Sequence, residues 1–164
     1  MAASEQPISA KAVGGGIAAA AAGVLALAAA IVKPWEGVSL TPYTDIVGVQ
    51  TVCYGQTGPA AGKSYTLAEC DELLQSDLGK RLTALGKCIH QPLREHEMAA
   101  LLSWSYNVGT SAACGSTLVR KVNAGAGPAE FCPELLKWNR AGGREVRGLT
   151  NRRKAEMALC MGEQ

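Results

Sequence analysis

The stretch Trp35–Gly58, WEGVSLTPYTDIVGVQTVCYGQTG, reads as a β-hairpin with acids at its margins. Thr41 to Asp45 and Val49 to Tyr54 are rich in Thr, Tyr and Val, which suit a pleated, half-buried surface. Ile46-Val47-Gly48 between them supplies the turn, with Gly48 where a positive φ is needed. One carboxylate, Glu36, precedes the hairpin; a second, Asp45, stands at its turn; a hydroxyl, Thr51, follows on the return strand.

Two acids and a hydroxyl suit a reaction that needs one proton donor and one activator of water. In inverting glycoside hydrolysis a protonated carboxyl serves the leaving oxygen while an ionised one activates water on the opposite face, the pair standing ~6.5–9.5 Å apart. Acids before and at the turn of a hairpin would face each other across a cleft of that width. Spacing alone favours the plainer explanation of two solvated acids.

The surrounding motifs shift that balance. Glu36-Gly37, Tyr43-Thr44-Asp45, Thr51-Val52 and Gly55-Gln56-Thr57-Gly58 resemble the Glu/Asp/Thr signature of phage-type, T-even-like lysozymes. The resemblance continues through Tyr65-Thr66, Glu69-Cys70, Tyr106-Asn107-Val108-Gly109, Ser116-Thr117-Leu118, Ala141-Gly142-Gly143, Gly148-Leu149 and Arg152-Arg153. It implies an α+β lysozyme-like fold: a small hairpin lobe at about 34–65, a linking helix at about 66–85 and a helical lobe at about 86–164. It implies hydrolysis of the β-1,4 bond between N-acetylmuramic acid and N-acetylglucosamine in peptidoglycan, without metal or cofactor. Glu36 would be the general acid, its pKa raised by partial burial against Trp35 or the lobe interface. Asp45 would position or activate water and Thr51 would hold it. Tyr43, Gln56 and Asn107 are the candidate substrate-binding residues, Gln56 standing where the family often has histidine; for Asn107 a helix-terminating role competes.

At 164 residues and 17.0 kDa the chain fits one domain, if a two-lobed one. A net charge of +2 gives no electrostatic case for nucleic acid. Arg140, Arg144, Arg147, Arg152, Arg153 and Lys154 crowd the C-terminal end, as a solvated helical face or as attraction toward an anionic envelope. Cys53, Cys70, Cys88, Cys114, Cys132 and Cys160 include no C-x-x-C, and with only His90 and His96 there is no zinc-type set. Scattered, even-numbered cysteines point to disulfides in an oxidising compartment, with six reduced buried thiols as the alternative. Similarity to related endolysins suggests sequential pairing: Cys53–Cys70, Cys88–Cys114, Cys132–Cys160.

Residues 1–11 form a polar leader. Ala12 to Val32, AVGGGIAAAAAGVLALAAAIV, then carries no charge over 21 residues, ~31 Å as a helix and enough for a hydrocarbon core of ~30 Å. Its seven Val, Ile and Leu favour insertion by only about 2–4 kcal/mol. A span this weak, at the head of a phage-type lysozyme, resembles the signal-anchor-release segment (12–33) of endolysins from lambdoid and related phages. Flanking charge leaves the orientation nearly undecided, but the cysteines and the substrate both call for the catalytic part in the periplasm, with residues 12–32 in the inner membrane, the N-terminus in the cytoplasm and the host export machinery as the route. The enzyme would be held inactive there, then released as a soluble monomer whose helix repacks onto the domain. A cleaved signal peptide competes; an Ala-rich core helix fits less well, because so uncharged a segment leaves no evident solvent face. Pro34 is expected to end the helix near Lys33.

Further on, Thr66 and Glu69 form a capping box for a helix to about Leu85, ended by Gly86. Pro92–Val108, with His96 on its polar side, Ser116–Asn123, Ala129–Arg140 and Leu149–Met161 read as helices, with Trp104 and Trp138 as core candidates. The competing functions are a lytic transglycosylase, which needs the acid but not the Asp/Thr pair, a membrane-anchored wall-binding protein without activity, and a holin.

Overall fold

The N-terminal helix α1, Ala18–Glu36, is built almost wholly of small and aliphatic residues. The computed structural model describes residues 18–163; the leader and the first six residues of the expected anchor, 12–17, lie outside the described residues. Val24, Ala28 and Val32, spaced by four, are sealed in the core with Ala29. Ala22, Ala26 and Ala30 form the opposite face. An uncharged helix thus does have a solvent face here, one made of alanine methyls. α1 also continues through Pro34, contrary to the break expected at Lys33. Pro34 removes one ladder bond on the exposed side, where water can serve the freed carbonyl, and the Gly37 N–H resumes the ladder on the Lys33 carbonyl at 3.1 Å. Glu36 therefore sits on the last turn of a regular helix. Among the described residues no helix is long and apolar enough to cross a membrane.

The small lobe follows as an antiparallel sheet of β1 (Ser39–Thr44), β2 (Gln50–Cys53) and β3 (Gln56–Thr57) in that order. Tyr43 lies opposite Thr51, and Thr51 opposite Thr57. Gly48 takes φ +84° in the β1–β2 turn. β3, only two residues long, has no readable alternation of its own.

α2, Leu67–Leu85, begins with the expected capping box: Thr66 N–H donates to Glu69 Oε2 at 2.7 Å and Glu69 N–H to Thr66 Oγ1 at 3.2 Å. It buries Cys70, Leu74, Leu78 and Leu85 and stops at Gly86. α3, Glu95–Val108, starts three residues later than the Pro92 expected, once the Glu97 carboxylate caps the Arg94 N–H at 2.7 Å. Gly109 at φ +88° ends it. α1, α2 and α7 (Arg147–Met161) all pack on α3. His96 is consequently buried rather than solvated, because what looked like a polar side of α3 is covered near the chain's C-terminal turn at Gly162.

α4 (Thr110–Cys114), α5 (Thr117–Asn123, capped by Ser116) and α6 (Pro128–Phe131) complete the lobe. The single helix expected over Ala129–Arg140 is not formed. Pro133 cannot donate to the ladder, so the chain tightens into a 3-10 turn, Cys132–Lys137. It then makes a small hairpin, β4 (Arg140–Ala141) and β5 (Arg144–Glu145), turned by Gly142 and Gly143 at positive φ. Trp104 is fully buried with Trp138 edge-on at 5.2 Å. The cysteines pair sequentially, Cys53–Cys70, Cys88–Cys114 and Cys132–Cys160.

Candidate active site

A cleft of about 520 Å³ separates the small lobe from the helical one. α1 contributes Glu36, the sheet region Tyr54, Gln56 and Thr57, α2 Asp77 and Arg81, and α3 Tyr106 and Asn107. Glu36 is there because α1 does not break: its last turn points the carboxylate across the lobe junction, with the side chain 23% exposed. Trp35 is itself 38% exposed, and Glu36 lines the cleft at the lobe interface.

Arg152 of α7 holds Glu36 through Nη1 to Oε1 at 2.5 Å. Behind it lies a buried network. Arg152 Nε reaches Glu156 Oε1 at 3.1 Å, Arg153 Nε reaches Glu156 Oε2 at 2.9 Å, and Ser103 Oγ donates to Glu156 at 2.8 Å. Arg153 Nη2 also donates to Asn107 Oδ1 at 3.2 Å, tying a cleft residue to the cluster. Burial pushes the Glu156 carboxyl up against the pull of both guanidiniums, and burial pushes Arg153 down to about 10. Glu156, fully buried, faces both guanidiniums, which is what allows so much charge at the lobe junction; leaving such a guanidinium buried without its carboxylate typically costs about 3–5 kcal/mol. Arg152 and Arg153 are therefore not part of a solvated basic face, although Arg140, Arg144, Arg147 and Lys154 are exposed. Their sequence signal was Glu156, three and four residues on, which puts the carboxylate on the same helix face as both arginines.

The cleft wall is held by Gln56 and Tyr106. Gln56 Nε2 donates to Tyr106 Oη at 3.0 Å and to Asp77 Oδ2 at 3.2 Å, while its Oε1 accepts the Tyr54 N–H at 2.8 Å. Tyr106 Oη donates to the Tyr54 carbonyl at 2.9 Å. Burial, with the Glu36 and Asp77 carboxylates nearby, pushes the Tyr106 phenol well above its usual range and keeps it a donor. Gln56 thus braces the sheet against α2 and α3 from a buried position. One turn back along α1 from Glu36, Lys33 Nζ pairs with Asp71 Oδ1 at 2.8 Å, and Tyr54 Oη donates to the same oxygen at 2.8 Å.

Asp45, Thr51 and Tyr43 lie on the hairpin, outside the lining of this cleft. Asp45 Oδ1 accepts the Val47 and Val49 N–H groups at 2.9 and 2.8 Å, so the acid also builds its own turn. Thr51 is buried and donates to the Val49 carbonyl at 3.1 Å, which leaves its oxygen lone pairs able to accept. Tyr43 is exposed on β1. Arg81, Asp77 and Tyr106 were not legible as site residues: each sits within an ordinary amphipathic helix.

The chain is similar to known proteins in sequence and in fold. The family model described as phage lysozyme matches residues 33–156. The SAR-endolysin of Enterobacteria phage P21 is 43% identical over 154 residues, covering 93% of this chain and 92% of its own; that of Escherichia phage Mu is 40% identical over 127 residues, 76% and 72% of the two. Among solved structures, a P22 lysozyme mutant superposes with TM-score 0.72 at 30% identity, over 82% of this chain and 94% of its own. The muramidase domain of SpmX from Asticaccaulis excentricus gives 0.74 at 28%, over 85% and 95%.

Proposed function

The chain belongs to the phage lysozyme family, and on that footing we propose that Glu36 is the general acid of a muramidase whose water is managed by Asp45 and Thr51. The protein is a phage endolysin, a glycoside hydrolase acting on peptidoglycan in host lysis. The observation that carries the assignment of the acid is Glu36 alone: an acid on a helix end, inside the cleft and oriented by a buried guanidinium.

In the reaction the protonated Glu36 carboxyl gives its proton to the oxygen leaving the muramic acid C1 as the glycosidic bond breaks. Water attacks the opposite face of that carbon and loses its proton toward Asp45, so configuration inverts. The second oxygen of Asp45, Oδ2, is left for this work, since Oδ1 is engaged by the turn. Thr51 Oγ1, whose hydrogen goes to Val49, accepts from that water. Asn107 and Tyr43 would contact the sugar, and Gln56 acts on it through Tyr106.

The anchor belongs to the same proposal. Residues 12–32 insert after export and hold the catalytic part on the periplasmic face, and release lets α1 dock. Support comes from the mismatch between the low polarity of α1 and its partly exposed alanine face, and from relatives described as SAR-endolysins. While the helix is in the bilayer, Glu36 cannot stand beside Arg152, and the acid is out of place.

Mass analysis of muropeptides released by the whole protein, with Glu36→Gln as control, tests the chemistry. Reducing-end N-acetylmuramic acid that disappears in the control is the expected result. Anhydro-muramic ends would mean a transglycosylase and remove Asp45 and Thr51 from the mechanism. For the anchor, full activity of a carbonate-resistant, membrane-bound form would end the release scheme.

A further inference from the structure

The cleft continues sideways into a second groove of about 340 Å³ between α2 and the start of α4, lined by Asp77, Lys80, Arg81, Ala84 and Thr110. Asp77, Lys80 and Arg81 line both spaces. They fall on one face of α2 because i, i+3 and i+4 positions stack. Arg81 is the unusual member. It is half-buried, it donates from Nη1 to the Ser105 carbonyl at 3.3 Å, and its guanidinium lies 4.7 Å over the Tyr106 ring. Among the described residues no carboxylate stands within ion-pair distance of it; the adjacent Asp77 is engaged by Gln56 and, at 3.7 Å, by Lys80.

A guanidinium held in one place by a carbonyl and a ring, partly desolvated and with no carboxylate in direct contact with its fork, is a preorganised anion receptor. Elsewhere in this protein the buried arginines, Arg152 and Arg153, are paired with carboxylates. The sugar backbone of a peptidoglycan strand is uncharged; the anions it carries are carboxylates on the short peptides that branch from its muramic acid residues. We propose that the α2/α4 groove is a subsite for such a peptide branch, with Arg81 binding a branch carboxylate and the 75% exposed Lys80 adding a second positive charge at its rim. The inference rests on the muramidase reading, and adds to it a determinant of which strands are cut best.

Initial rates of the whole protein on three strands test this: native strands, the same strands with branch carboxylates amidated, and strands stripped of peptides by an amidase. KM on native strands should be about tenfold lower than on either of the others, the scale of one hydrogen bond to a charged group, with kcat nearly unchanged. In Arg81→Gln that native-to-amidated ratio should fall to within about twofold, and Arg81→Lys should recover part of it, because a point charge replaces a fork. Equal KM for native and amidated strands in the unaltered protein overturns the proposal. So does an Arg81→Gln variant that loses the same factor on all three strands, since Arg81 would then only brace Tyr106. Absence of cleavage on every strand would instead strike the muramidase reading, and the subsite with it.

Discussion

α1 and α2 are both 19-residue helices, and they are held in opposite ways. α2 is fixed by its own sequence: a capping box at one end, Gly86 at the other, a leucine stripe along the inside and a disulfide at Cys70. α1 has no acid in its first turn and no polar residue before Lys33. It is held by four small or branched residues against α3 and by two ion pairs at its C-terminal end, Lys33–Asp71 and Arg152–Glu36. The difference teaches that α1 is a helix through its surroundings. Alanine methyls bury little area each, so the docked state is favoured by fit and by its terminal charges, and the same residues tolerate hydrocarbon. Glu36 is carried on the helix that depends most on what surrounds it, with no cap of its own at its start.

The comparison is broken most severely at Glu36. Glu36→Gln should lower muropeptide release by about 10²–10⁴-fold, the range of a lost general acid, while a thermal melt shifts by only a few degrees. On the α2 side, replacing Cys53 and Cys70 together by Ala should cost about 3 kcal/mol in urea unfolding, because a short loop in the unfolded chain is freed. Ala28→Leu sharpens the contrast. The extra side chain overpacks a fully buried position, costing the docked state about 1–3 kcal/mol, yet it strengthens the segment as a span. More protein should therefore stay carbonate-resistant as less refolds. Thr66→Ala should cost about 1 kcal/mol of stability with little change in turnover, since α2 loses a cap and no cleft residue moves.

The smallest effect expected is a pH dependence. The Lys33 ammonium, then the Tyr54 hydroxyl, hold the Asp71 carboxyl below the usual carboxylate range. A depressed folded pKa gives stability that is present above the unfolded value and lost as pH falls through the folded one. Asp71→Asn should accordingly flatten the acid end of the stability curve slightly, Asp71 being well exposed and screened. An unchanged acid limb would mean that the tie between α1 and α2 contributes nothing measurable.

The hairpin turn at Gly48 and the Thr66–Glu69 cap were legible because local residues alone determine them. Motif resemblance singled out Glu36, which the fold places in the cleft, but its surroundings were not legible: Arg152 is 116 residues away in sequence, and a run of basic residues looks the same whether it faces water or a buried carboxylate. His96 misled for the same reason, since the cover over α3 comes from both ends of the chain. Pro34 misled through a rule about local geometry that packing overrode. β3 and the 3-10 turn at Cys132–Lys137 are too short to show a period.

The three disulfides close consecutive rings, 53–70, 88–114 and 132–160, and none encloses another. Every residue before Cys53 thus lies outside every covalent ring. Under tension applied from the N-terminus, α1 and then the β1 strand can peel away with no covalent stop before Cys53, while the cross-linked remainder keeps its shape. For an acid riding at the end of α1, the force needed to disarm the enzyme is that of two ion pairs and an alanine seam, and disarming leaves intact the scaffold to which the helix returns.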